Sequence, residues 1–309
     1  MNFQTSLLAV AVMLLYALPG WLLVKTKIVK GDAIHNFSKV LLYVSQPCLT
    51  VYSFSRVTFS WEMTGKLALC FLFAVVIQAG LVLLLFFVFK KKRNEIVWRV
   101  ICVAAVFSNC GFFGVPLLER LLPGNPEVIA YSSVFSLAMN MIGWSLGLYI
   151  VSLDKRYIRA KKIFVNPATI GFAVALVLYF TGFKLPAEFS GISDAVTLVG
   201  KMSTPLCMLI LGMRLATVPI KEVFGDWRQY LAAALNQIAY PLLVFALLYF
   251  LPVDPLLKTT FVILCACPVA SNVLNYAEIL GQGQDKAANM VLLGTLFSIL
   301  TVPLVCLIL

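Results

Sequence analysis

Phe107-Ser108-Asn109-Cys110-Gly111-Phe112-Phe113-Gly114-Val115-Pro116 and Cys267-Pro268-Val269-Ala270-Ser271-Asn272-Val273-Leu274-Asn275 are the two stretches that decide the fold. Each sets a Ser-Asn pair in the middle of an apolar run long enough to span a bilayer. Each also falls in the fourth hydrophobic segment of a five-segment unit that occurs twice along the chain. An interruption at mid-membrane frees backbone N–H and C=O groups, which are costly unless protein, water or a ligand completes them. Paired interruptions at matching positions therefore point to a site of the kind found in membrane carriers.

Apolar residues make up 61% of the 309 residues and charged residues 12%, and the mean hydropathy is +0.97. Ordinary soluble domains are about 45–50% apolar and about 25% charged. Ten hydrophobic segments are expected, at 3–24, 34–54, 67–89, 96–122, 128–153, 167–181, 195–216, 230–251, 256–280 and 287–309. The fold class is thus an all-α polytopic membrane protein.

The net charge of +11 is distributed unevenly. Of the 24 Lys and Arg residues, 18 lie in the odd-numbered connections, Arg214 among them, and five in the even ones. The positive-inside rule makes the odd connections cytoplasmic, so both termini are expected on the non-cytoplasmic side of the cell membrane. This excess suits an anionic leaflet rather than nucleic acid. No basic stretch precedes the first hydrophobic run, which is expected to remain as a span and not to be cleaved as a signal. All eight cysteines fall inside predicted spans and are expected to be packing residues, not disulfides. Cys265-Ala266-Cys267 lacks nearby partners for a metal, and His35 is expected to be a polar residue at a helix entrance.

An offset near 158 residues aligns Ser45-Gln46-Pro47 with Ser203-Thr204-Pro205, and Glu127 with Asp285; the Ser-Asn pairs align at 163. Five spans per unit is an odd number, so the second copy enters the membrane from the opposite side and the repeat is inverted. The expected organisation is a first repeat at 1–153, a basic connection at 154–166 and a second repeat at 167–309. No phosphate-binding loop is present, so ATP hydrolysis is not expected to drive the protein.

Candidate substrate-binding residues gather around the interruptions. Gly111 and Gly114 supply flexibility, and Pro116 suits the start of a new half-helix. Pro268 is expected to end the preceding half-helix, with Ser271 or Asn272 capping the next. Two half-helix N-termini would then offer free N–H groups near Ser108, Asn109, Asn272 and Asn275, an arrangement favouring a carboxylate. The alternative is two kinked helices whose Asn side chains satisfy only their own backbone.

Pro47 and Pro205 mark kinks in segments 2 and 7 beside Gln46 and Thr204. Lys201 leaves two readings open: a lysine snorkelling to the outer interface, or a fixed positive charge beside the interrupted helices. Interhelical hydrogen bonds are expected for Asn140, Asn236, Gln237 and Asn289. Glu278 is expected at a solvated helix end. Without an embedded His/Asp/Glu cluster, enzymatic activity and metal or cofactor binding are not expected.

The run from Asn109 through Gly114-Val115-Pro116-Leu117-Leu118 resembles the first crossing helix of the auxin efflux carrier family, which includes plant PIN-FORMED carriers and bacterial relatives. Lys201-Met202-Ser203-Thr204-Pro205-Leu206 with Gly212 is similar to segment 7 of the bacterial members, and 268–303 to their C-terminal crossing helix and last span. The resemblance implies ten transmembrane helices in two inverted five-helix repeats, with helices 4 and 9 broken at a crossing. It also implies a scaffold of segments 1, 2, 6 and 7, a transport domain from the rest, a homodimer, and small organic anions as substrates. Asn109 and Asn272 correspond to the crossing-point asparagines. The plant carriers' long central loop is missing here. H+ or Na+ is the expected coupling ion. The rival readings are a sodium-coupled symporter of the bile-acid type and a non-transporting membrane sensor or assembly partner.

Overall fold

The computed structural model describes residues 3–157, 167–182 and 190–309. Most of the expected basic connection at 154–166 lies outside the described residues. Twelve helices organise the described chain: α1 (Phe3–Lys25), α2 (33–55), α3 (Trp61–Val88), α4 (Ile96–Ala104), α5 (Gly114–Leu121), α6 (Glu127–Ser152), α7 (Pro167–Thr181), α8 (Ser190–Thr217), α9 (Trp227–Tyr249), α10 (Pro255–Ala266), α11 (Ser271–Leu280) and α12 (Gln284–Cys306). Six of them (α1, α3, α6, α8, α9 and α12) are long and apolar enough to cross a membrane. The described residues contain no β-strand, only one isolated bridge.

Local sequence explains the main irregularities. Pro47 cannot donate a helical hydrogen bond, and it follows a π-helical turn at Leu41–Ser45 that widens the helix just before it. Pro241 follows a similar turn at Leu235–Ala239. Segment 96–122, expected as one interrupted run, is two helices separated by nine non-α residues, 105–113. Segment 195–216 begins earlier than expected, at Ser190. Ser60 caps α3 by accepting from the Met63 amide at 3.0 Å, and Asp254 caps α10 through the Leu256 and Leu257 amides.

Burial separates inner from outer helices. α6 and α12 are mostly buried, whereas α1 and α3 show much of their apolar surface. Leu72, Val76, Leu84 and Phe87 of α3 are exposed. A row of this kind is a liability in water and natural against hydrocarbon.

The contacts gather the helices into two sets, which are joined where the N-terminal half of α1 packs on α12. α1 packs on α8, and α2 packs on both α7 and α8. The remaining helices form a second group, in which α3 packs on α6, α10 on α6 and α9, and α12 on α9 and α11. Within the first group the backbones approach closely at glycine. A Cβ at Gly212 would lie 1.8 Å from the Ala17 carbonyl oxygen, and one at Gly20 would lie 2.0 Å from that of Leu209. Small residues at helix crossings allow such approach where lipid supplies no hydrophobic drive to associate.

Candidate functional site

The two interrupted stretches meet. Ser108 and Val269 form the isolated antiparallel bridge; the Asn109 amide donates to the Pro268 carbonyl at 2.7 Å, and the Ala270 amide donates to the Phe107 carbonyl at 2.8 Å. Each break thus completes part of the backbone hydrogen bonding that the other lost. The remaining freed groups find local partners. Ser132 donates to the Cys110 carbonyl at 2.7 Å, and Thr204 of α8 donates to the Phe112 carbonyl at 2.8 Å. The Phe113 and Gly114 amides both return to the Asn109 carbonyl. Buried non-helical backbone persists because these partners satisfy it.

The second helix start differs from the first. α11 begins after Ala270, with no side-chain cap, so neither Ser271 nor Asn272 caps it as the sequence suggested. Cys267 adopts an extended ψ of 148° before Pro268, and α10 has already ended at Ala266. Pro116 sits in the first turn of α5, where its missing N–H removes no intrahelical bond. The Ser271 and Asn272 amides have no hydrogen-bond partner among the described residues.

A cavity of about 530 Å³ lies beside α11. Its polar walls are Gln46 of α2, Asn140 of α6, and Asn272, Asn275 and Tyr276 of α11. The Asn272 side chain donates to Asn140 Oδ1 at 2.9 Å; Asn140 in turn donates to the Ser136 carbonyl, and Asn275 reaches Asn272 Oδ1 at 3.4 Å. The buried Tyr276 hydroxyl has no partner, and its ring is held edge-on by Phe107 and Trp144. Gly143 leaves room for it, since a Cβ there would meet the hydroxyl at 2.1 Å. Toward the mouth the walls become charged, with Asp32, His35 and Lys39 on α2 and its approach, and an Arg214–Glu278 ion pair between α8 and α11. A narrow extension of about 30 Å³ joins that pair to Ser271, Cys207 and Phe112.

The structure brings together Gln46, Asn272 and Asn275 in this cavity, with Ser271 on its extension. Asn109 is buried just behind, its side-chain amide 3.9 Å from the Cys207 sulfur. Ser108, Gly111, Gly114 and Pro116 shape the break and do not line the cavity. Pro47, Pro205 and Pro268 lie at helix irregularities or starts. Lys201 is elsewhere: it is exposed, with its ammonium 5.1 Å from the ring of Tyr52, whose hydroxyl donates to Glu119 at 2.9 Å.

Glu278 is not a solvated helix end but is half-buried against Arg214, and Arg214 had no signal beyond its place among the cations of the odd-numbered connections. Tyr276 was missed because an aromatic in an apolar run looks like packing. Gln237 and Asn289 make interhelical hydrogen bonds, to Gly294 at 2.6 Å and to Glu222 at 3.2 Å, but both side-chain atoms of Asn236 lack a partner. All eight cysteines are free thiols.

Apolar spans around a polar, partly charged cavity define a membrane transport protein. The chain belongs to the membrane transport protein family of auxin-efflux-carrier type, whose model matches it twice, over residues 5–160 and 155–306. It is similar to an uncharacterized transporter of Methanocaldococcus jannaschii, 22% identical over 303 residues that cover 96% of each chain. It is also similar to a Rhizobium meliloti protein named "Putative malonate transporter", 23% identical over 294 residues, or 88% of this chain and 86% of the relative.

Proposed function

We propose that the chain is a secondary carrier of a small organic anion, a carboxylate such as malate, malonate or an auxin-like weak acid, working by alternating access. The observation that carries this reading is the cavity beside the uncapped start of α11. Its open Ser271 and Asn272 amides, the amides of Gln46, Asn140, Asn272 and Asn275, and a cation at the mouth suit a carboxylate. The name of the Rhizobium relative supports a dicarboxylate of this size.

In this reading α4–α5 and α10–α11 are two broken spans that cross at the Ser108–Val269 bridge. With the eight other helices they make ten spans in two inverted repeats, 1–153 and 167–309, joined by 154–166. The twofold match to the family model supports the repeat. The basic odd connections support a cytoplasmic mouth for the cavity, non-cytoplasmic termini and residence in the cell membrane. The α1–α2–α7–α8 group is the scaffold against which the rest moves, and a homodimer and an H+ or Na+ gradient complete the proposal.

The test is uptake of labelled malonate and malate into proteoliposomes under an imposed pH gradient, then a sodium gradient. The Asn109→Ala/Asn272→Ala variant is the control. Uptake that the variant loses is the expected result, and the gradient that drives it names the coupling ion. Uptake equal in wild type and variant would remove the site; none of either acid under either gradient would remove the dicarboxylate.

A further inference from the structure

Resting on the anion-carrier reading, we infer that Arg214 is the residue that selects the substrate's carboxylate, and that Glu278 is its built-in competitor. The ion pair lies on the wall of the cavity and of its extension toward Ser271. Both side chains are half-buried, 26% and 32% exposed, so the pair is shielded more than a surface bridge. It is also incompletely matched. Glu278 is held through one oxygen on Arg214 Nη2, while Arg214 Nε is buried with no partner. Nε and Nη2 form the side of a guanidinium that accepts a carboxylate through two parallel hydrogen bonds.

Nε is covered while Glu278 holds Nη2, so once the Arg214 side chain turns from Glu278 a free carboxylate satisfies both donors at once, which Glu278 does not. It therefore replaces Glu278 on Arg214, while its remaining polar atoms reach Asn272, Asn275 and the α11 amides. The exchange has a mechanical consequence. Arg214 stands on α8, in the α1–α2–α7–α8 group, and Glu278 on α11, in the other group. Substrate that breaks the pair removes a charged contact between the groups whose relative movement the carrier needs. Neutral molecules of the same shape have no means of doing so. Among the charged groups at the mouth, Asp32, His35 and Lys39 are exposed or lie at the approach, so Arg214 is the half-buried cation that meets the ligand.

The experiment is calorimetric titration of malonate, and of its neutral analogue malonamide, into the purified protein and into Arg214→Gln and Glu278→Gln. Wild type is expected to prefer malonate. Arg214→Gln is expected to bind malonate about 10- to 100-fold more weakly and to lose the preference over malonamide. Glu278→Gln, which frees Arg214, is expected to bind malonate about 3- to 10-fold more tightly. Because the two variants move affinity in opposite directions, misfolding of one does not imitate the result. Wild-type affinity in Arg214→Gln, or weakened binding in Glu278→Gln, would overturn the inference and leave the carrier reading standing. Binding of neither malonate nor malonamide by wild type would remove the dicarboxylate substrate and this inference with it.

Discussion

Asn272 shows how one amide serves both fold and site. Its Nδ2 holds Asn140, its Oδ1 receives Asn275, and it stands in the first turn of the uncapped helix α11 on the cavity wall. Asn272→Ala leaves Asn140 Oδ1 buried without its donor, a loss of about 1–3 kcal/mol. Asn272→Asp keeps the volume but puts a carboxylate where, on the proposed function, the substrate's carboxylate binds. Malonate uptake is expected to fall about tenfold or more in the first and further in the second, and an Asp variant as active as wild type would argue against an anion at this place. The asparagines were legible in the sequence because an amide inside an apolar run violates the pattern that surrounds it. Arg214 and Glu278 were not, since charges near the ends of hydrophobic segments are ordinarily solvated. Only the ion pair between α8 and α11 turns them into a cavity wall. Tyr276 was illegible for the opposite reason, because its residue type fits its apolar surroundings.

Element by element, the interruptions were readable as breaks, but not their mutual pairing. Nothing in either stretch says that the Asn109 amide will find the Pro268 carbonyl, because that bond joins residues far apart in the chain. The α1–α8 crossing is similarly hidden, though it makes a sharp prediction. Gly20 and Gly212 face each other's helix backbone, so Gly212→Ala must push α1 away from α8. It is expected to destabilise by about 1–3 kcal/mol, whereas Gly65→Ala, with open space around it, is expected to be neutral or slightly stabilising. Thermal unfolding in detergent separates the two, and equal midpoints would contradict the close approach. A third element-scale feature is the clamp before α9. Arg228 hydrogen-bonds Asp226 and holds its carboxyl down at about 2, helped by Lys286 at 3.5 Å; Arg228 also pairs with Glu95 at 3.0 Å. A depressed carboxyl contributes stability that is present above the unfolded value, about 3.9, and is lost as pH falls through about 2. The contribution is about 1–2 kcal/mol, so Asp226→Asn is expected to be less stable than wild type at pH 7, with most of the gap gone as pH falls to about 2. A gap between them that persists undiminished at pH 2 would refute the assignment.

At the scale of the whole molecule, side-chain contacts tie the two helix groups together at separate places. At the cavity mouth, the contact between the two helix groups that the charged residues make is the Arg214–Glu278 pair. Away from the mouth, Tyr52 of α2 donates to Glu119 of α5; nearer the cavity, Thr204 of α8 donates to the Phe112 carbonyl beside the break. Both bonds join the α1–α2–α7–α8 group to the other group. The proposed alternating access requires them to separate when the cavity closes, with water replacing the protein partners. Tying the Tyr52–Glu119 contact shut should therefore leave the ligand able to enter from the mouth while preventing its release on the other side. The variant is Tyr52→Cys/Glu119→Cys with the half-buried Cys48 changed to Ser, treated with a short bifunctional thiol reagent. Cross-linked protein is expected to keep its malonate affinity in titration and to lose uptake into proteoliposomes, while the uncross-linked variant retains most of its transport. Uptake that continues after complete cross-linking would mean that this contact does not open, and the motion would then have to be sought within the second helix group alone. Affinity that disappears together with uptake would instead mean that the cavity mouth deforms with this contact, so that the two helix groups do not move as rigid pieces.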